Sequence, residues 1–312
     1  MNPMTHCKKI RILLNIFLGL GAIFALAIDT HAQNLYVSAQ LPGGPAPFHH
    51  GILEFTPSGV QSTYATGLQF PRGLAFDSLG NLFAAETLAP AGDVEVGKVL
   101  KFNLRNKATT LGSAAQFFFE GLAIDIAGNV YVMGVDGTSP TAASTIFKFT
   151  PSGDRIIFGS IPGQSWGLAF DSAGNLYAAE GDVDLSGDRT IYKFAPDGTR
   201  TVFAGPDMFD PGVYPVGLAF DSGGNLFVST ECFCDPGNDT ILKFTPDGME
   251  STLYTGLTYP RGLAFDSLGN LFVAEANAIP DGDILEFPTT GGKIVFASGF
   301  GRPEFLTFGP PR

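Results

Sequence analysis

The sequence predicts an all-β chain folded as a six-bladed β-propeller with four antiparallel strands per blade. The first observation behind this is a repeat. "PRGLAFDSLGNLF" runs from Pro71 to Phe83 and again, letter for letter, from Pro260 to Phe272, and relatives of it begin at Glu120, Trp166 and Val216. The glycines Gly73, Gly121, Gly167, Gly217 and Gly262 are spaced by 48, 46, 50 and 45 residues, a period that suits a propeller blade rather than a helical solenoid. The second is composition within each period. Short runs of β-branched and aromatic residues alternate with Gly, Pro, Asp and Asn, and no segment beyond the N-terminal 32 residues carries a helical period. The third is the phase of the two ends of the chain, which differ by one strand.

Residues 1–32 differ from the rest. Lys8, Lys9 and Arg11 precede an apolar run from Ile12 to Ile28, and Thr30-His31-Ala32 follows with small residues where a signal peptidase reads them. This is the pattern of a secretory signal cut after Ala32, so residues 33–312 are expected to form the mature propeller, secreted or periplasmic. An uncleaved anchor is the other reading, although the run is short of the roughly 20 residues a spanning helix needs. No later stretch is long and apolar enough to cross a membrane, so no membrane partner is expected after cleavage. Losing Lys8, Lys9, Arg11 and Asp29 takes the net charge from −12 to about −14. A surface of that sign repels phosphate backbones, which excludes nucleic acid. A cationic partner or metal ions match it better.

Each period divides into four strands. The first is GLAF. "DSLGN" then makes a tight turn, in which Asp77 can accept backbone N–H bonds and Gly80 or Asn81 can take positive φ. The second strand is "NLFAAE". After a longer, variable loop comes the third, seen as "KVLKF", "TIFKF", "TIYKF", "TILKF", "DILEF" and "GILEF". A Pro/Gly turn such as "TPDG" leads to the fourth, for example "RIIFGS". The second and third strands each occur six times; the first occurs five times as GLA and once as the degenerate "EFLTF" at Glu304 to Phe308. The mature chain thus begins at a second strand and ends after a first strand. The C-terminal strand is expected to complete the N-terminal blade and close the ring, leaving no exposed half-blade edge. Both faces of each sheet are then buried, and the Gly and Ala of GLA let six inner strands crowd the axis.

The unit "GLAFDSxGNLFVAE…ILKFTPDG" closely resembles the NHL repeat, and the pattern covers nearly the whole mature chain. That resemblance implies the propeller fold and, for most such proteins, a binding scaffold. More distantly the chain is similar to the gluconolactonase and senescence-marker-protein family, six-bladed lactone hydrolases with a divalent metal on the axis. In that family several metal ligands stand just ahead of the Gly-Leu-type strand start, as suits a hard cation. The same column here reads Arg72, Glu120, Trp166, Val216, Arg261 and Glu304. Two carboxylates remain, and two arginines would repel a dication. Ring order sets Arg72 beside Glu120 and Glu304, and Arg261 beside Glu304. One reading is a ring of ion pairs at the channel mouth. The other is a pocket whose arginines hold an anionic ligand against Trp166 as a flat apolar wall. Streptogramin lyases share the architecture but need histidine near the axis, and the mature chain has only His49 and His50.

A second column, at the end of strand two, carries Glu86, Glu180 and Glu275 in alternate blades. Both columns should open on one face. These glutamates either add metal ligands, pair with the arginines, or stand as solvated carboxylates at loop bases. The variable loops on the same face are largely acidic, and variable loops on a rigid scaffold are where binding resides. Asp182, Asp184 and Asp188 in "DVDLSGD" loosely resemble a calcium loop without its terminal Glu; turn formation explains them equally. Calcium is thereby the one candidate cofactor. Cys232 and Cys234 admit a local or intermolecular disulfide, a metal, or free thiols. The expected function is an exported binding scaffold for a protein, a glycan or a small anionic ligand, working through the acidic face and axial mouth. The alternative is a metal-dependent hydrolase resembling gluconolactonase-type lactonases.

Overall fold

The computed structural model describes residues 33–41, 50–89, 94–138, 143–181, 189–232, 237–276 and 282–311. The signal reading of residues 1–32, the calcium candidates Asp182, Asp184 and Asp188, His49 and Cys234 lie outside them. The described residues form six four-stranded antiparallel sheets and one short 3-10 turn, Pro206–Met208. Five sheets follow chain order. Their inner strands are Pro71–Phe76, Phe117–Ile124, Ser165–Phe170, Val213–Phe220 and Pro260–Phe265, which open blades 2 to 6. In blade 1 the inner strand is the C-terminal Pro303–Phe308, beside Leu35–Gln40, His50–Phe55 and Gln61–Leu68. Leu35 faces Phe308, Tyr36 faces Thr307 and Val37 faces Leu306. Inner strands touch in sequence round the ring, Pro303–Phe308 meeting Pro71–Phe76 to complete it. Ring closure by the C-terminus is therefore as expected.

The core is a ring of six clusters, one at each blade junction. Phe272, Ile284, Val37 and Phe55 join blades 6 and 1, for example, and Phe83, Val99, Phe119 and Phe149 join blades 2 and 3. The third strand of every blade ends in a buried phenylalanine: Phe55, Phe102, Phe149, Phe194, Phe244 and Phe287. Each contributes about 1.5–3 kcal/mol by leaving water. That position is the last letter of the repeated "KF" or "EF" motif.

The turns also follow the sequence. Asp77 Oδ1 accepts from the N–H of Leu79 and of Asn81 at 3.0 and 2.8 Å, and Asn81 Nδ2 donates to Asp77 Oδ2 at 2.7 Å. Gly80, at φ 80°, takes the left-handed position. The same bonds recur at Asp125/Asn129, Asp171/Asn175, Asp221/Asn225 and Asp266/Asn270. The repeated Asp and Asn are thus spent on turns.

The glycines of GLA are required by the approach of neighbouring blades. A Cβ on Gly217 would lie 1.9 Å from the carbonyl oxygen of Arg261 and 2.7 Å from Ser229 Oγ. Ser229 Oγ ties the same two strands together, accepting from the Gly217 N–H at 2.8 Å and donating to the Arg261 carbonyl at 2.7 Å. Gly217→Ala should therefore push blade 6 outward and lower stability by about 1–3 kcal/mol or more, the range of overpacking changes. Gly205→Ala, whose new methyl would have its nearest neighbour at 3.9 Å, should leave the thermal midpoint nearly unchanged. Equal midpoints for the two variants would show that the inner strands can separate freely.

Candidate functional site

The axial site is assembled at the starts of the inner strands. Pro71 and Pro260 open two of those strands, and the residues before them, Phe70 and Tyr259, sit at φ 42° and 50°. Such left-handed geometry is unfavourable for aromatic residues and persists only where surroundings enforce it. Glutamates of the second column do so. Glu86 accepts from the Gln69 N–H at 2.8 Å, and Glu275 accepts from the Thr258 N–H at 2.7 Å. Asp239 completes the second loop by accepting from the N–H of Tyr259 and of Cys232, at 2.7 and 2.6 Å. Glu180, opposite Ser165 and Thr190, lies beside the Tyr192 hydroxyl. All three glutamates are buried, so they are not the solvated carboxylates expected as one reading. Glu86 and Glu275 act as clamps on backbone donors, and none of the three forms an ion pair with Arg72 or Arg261 among the described residues. Burial raises the pKa of Glu86 and Glu275 while their backbone hydrogen bonds lower it, the net shift being upward.

The clamped loops aim Arg72 and Arg261 at the axis. Glu304 stands between them. Its Oε2 lies 2.6 Å from Arg72 Nη1 and 2.6 Å from Arg261 Nη1, and its Oε1 lies 3.2 Å from Arg302 Nε. Arg72 Nε also reaches Glu120 Oε2 at 3.4 Å, and Arg261 Nε reaches Glu231 Oε1 at 3.0 Å. Three guanidinium groups and three carboxylates thus form one network. The expected neighbours Arg72–Glu120, Arg72–Glu304 and Arg261–Glu304 are all brought together. Trp166 differs from expectation. The Arg261 guanidinium lies over its ring at 5.1 Å and its Nε1 donates to the Gly181 carbonyl at 3.2 Å. Its exposed-wall role is therefore taken up by Arg261, a cation–π contact that holds the arginine in place. Val216 fills its place in the column as a buried apolar residue.

Two members of the network escaped the column comparison. Glu231 lies one residue past the second column, opposite Tyr214 in a blade whose register matches that of its neighbours. Arg302 stands two residues ahead of Glu304, on the approach to the strand. The "RPE" spacing was its one sequence signal, since alternate residues of an extended segment share a face.

The electrostatics centre on Glu304. Burial alone would raise its pKa, but Arg72, Arg261 and Arg302 overcome this and hold it at about 2. Burial likewise opposes the charges of Arg72 and Arg261, and the adjacent glutamates more than offset it, so both pKa values are raised. Glu120 and Glu231 are shifted up, because burial outweighs their single arginine partners. Arg302 is shifted down by burial and then by the neighbouring Arg261.

This donor set does not fit an axial dication. A calcium-like ion takes about 6–8 oxygen ligands, whereas each carboxylate here already faces a guanidinium, and three cations share the site. Among the described residues no three His, Cys, Asp or Glu side chains converge as ligands for a metal. Away from the axis, Cys232 is disulfide-bonded, one of the states open to it from sequence. Among the described residues no helix is long and apolar enough to cross a membrane.

The fold is shared with solved structures. A calcium-binding protein, regucalcin, from Agrobacterium tumefaciens is 15% identical, with a TM-score of 0.52 over 73% of this chain and 74% of that one. A gluconolactonase from Xanthomonas campestris is 15% identical, with a TM-score of 0.54 over 86% and 87%. A glucose dehydrogenase is 13% identical, with a TM-score of 0.58 over 81% and 96%. At such identities the likeness is one of fold, and it agrees with the expected similarity to gluconolactonase-type propellers at that level. No family model matches the chain, the NHL repeat included, and no curated protein matches it in sequence.

Proposed function

We propose that this chain is an exported propeller that binds a small anionic molecule at the axial mouth, using arginine–glutamate chemistry where lactonase-type propellers place a dication. The observation that carries this reading is the sharing of Glu304 by Arg72 and Arg261 at 2.6 Å each. A carboxylate held so firmly is a poor metal ligand. The neighbours named regucalcin, gluconolactonase and glucose dehydrogenase lend support to a small-molecule role for the axial face over a purely architectural one. The acidic sequences that follow the second strands suit a protein or glycan partner as a further element of the same scaffold. Export rests on the character of residues 1–32.

The second reading is a metal-dependent hydrolase resembling the gluconolactonases. What favours it is the names of the structural neighbours, among them a gluconolactonase and a calcium-binding protein. It requires Arg72 and Arg261 to release Glu304, so that Glu120, Glu231 and Glu304 could turn to an ion. Elemental analysis of the purified full chain, with lactone-hydrolysis assays in added calcium, zinc or manganese, separates the two. The expected result is no stoichiometric dication and no metal-stimulated turnover. One tightly held dication per chain, with hydrolysis abolished by a chelator, would establish the second reading instead.

A further inference from the structure

Beside the ion-pair network lies a cavity of about 120 Å³ lined by Gln40, His50, Phe70, Arg72, Arg302 and Glu304. We infer that this cavity is a binding site for a small carboxylate, gripped by the guanidinium of Arg302 with Arg72 beside it. The inference rests on the reading of the axial mouth as a small-molecule site and names the ligand class and the residue that selects it.

Arg302 is the member of the network with spare capacity. Its Nε faces Glu304, and its terminal amino groups meet no acceptor among the described residues. Its side chain is 39% exposed, against 7% for Arg261. Glu304, the carboxylate on the cavity wall, is already shared among three arginines. Arg72 on the same wall is already paired with Glu304 and Glu120, so within this charge-balanced network the donors left over belong to Arg302. A planar fork of N–H donors fits the two oxygens of a carboxylate and makes paired, charge-assisted bonds. Phe70 and His50, their rings 5.1 Å apart, form the aromatic part of the wall. Placement of Arg302 is secured by its backbone, whose carbonyl accepts from the Gln40 N–H at 3.1 Å. The volume suits a carboxylate of a few heavy atoms.

Titration of the full chain with acetate and with pyruvate, followed by calorimetry, tests this. Saturable binding in the millimolar range or tighter is expected. Arg302→Gln should weaken it at least about tenfold, and Arg302→Lys should weaken it less, since a point charge keeps the attraction and loses the fork. Thermal unfolding of both variants should stay close to that of the parent chain, because the side chain is partly exposed. Absence of saturation at about 10 mM, or undiminished binding by Arg302→Gln, would overturn the inference. These outcomes are separable from those above: metal-dependent lactone turnover would remove the small-anion reading of the axis without any carboxylate titration, and a failed titration without turnover would remove this site alone.

Discussion

Deleting residues 304–312 should abolish cooperative folding of the propeller. The deleted strand pairs with Leu35–Gln40 and supplies Leu306 to the junction core. It also carries Glu304, and its backbone at Phe305 and Leu306 packs against Gly262 of blade 6. Loss of a core leucine alone typically destabilises by about 2–5 kcal/mol, and loss of one partner in a buried ion pair by about 3–5 kcal/mol. Together these approach the whole stability of an ordinary domain, about 5–15 kcal/mol. The strand Leu35–Gln40 would in addition be left with an open edge, which favours pairing with other chains. Circular dichroism during heating should show no cooperative transition, or one displaced far downward, with aggregation. A transition at the parent midpoint would mean that blade 1 stands without its inner strand.

Glu304→Gln should give the next largest effect. The amide keeps the shape of the side chain but leaves Arg72, Arg261 and Arg302 around a neutral group. Removing the charge from a buried pair costs about 3–5 kcal/mol, which in a domain of this size lowers the midpoint by roughly 6–20 °C. The pH dependence identifies the cause. Glu304 has its folded pKa depressed to about 2 from 4.5, so its stabilisation is fully present above 4.5 and is lost as pH falls through 2. The gap between parent and variant should therefore stay wide from pH 7 to 4.5 and close towards pH 2. Glu120 and Glu231, whose pKa values are raised by burial, work in the opposite sense. Their contribution is greatest at low pH and is lost as pH rises through their folded values. A gap that stays constant down to pH 2 would show that Glu304 is not the ionised hub of the network.

Much of this site was legible because blade order is a sequence property. Once Arg72, Glu120, Arg261 and Glu304 share a column, the closed ring makes neighbours of residues 48, 43 and 232 positions apart, and the salt bridges follow. Glu231 and Arg302 were not legible, since each stands off the columns compared, Glu231 one residue past the second and Arg302 two residues ahead of Glu304 in the first. The tasks of Glu86 and Glu275 were hidden for a related reason. They bind the backbone N–H groups of Gln69 and Thr258, in the turns where Phe70 and Tyr259 adopt positive φ. Side-chain identity alone does not reveal a donor exposed by a backbone turn.

By itself the sequence determined the blade count, the turns, the glycine-lined axis and the strand that closes the ring. These rest on interactions repeated within a blade or between adjacent blades, so the period records them directly. Only the tertiary structure decided that Trp166 is covered by Arg261, that six charged groups form one network, and that Arg302 is left with donors facing a cavity. Those outcomes depend on a few ångströms of convergence among all six blades at the axis, where each side chain's partner is set by which of its neighbours has already been taken.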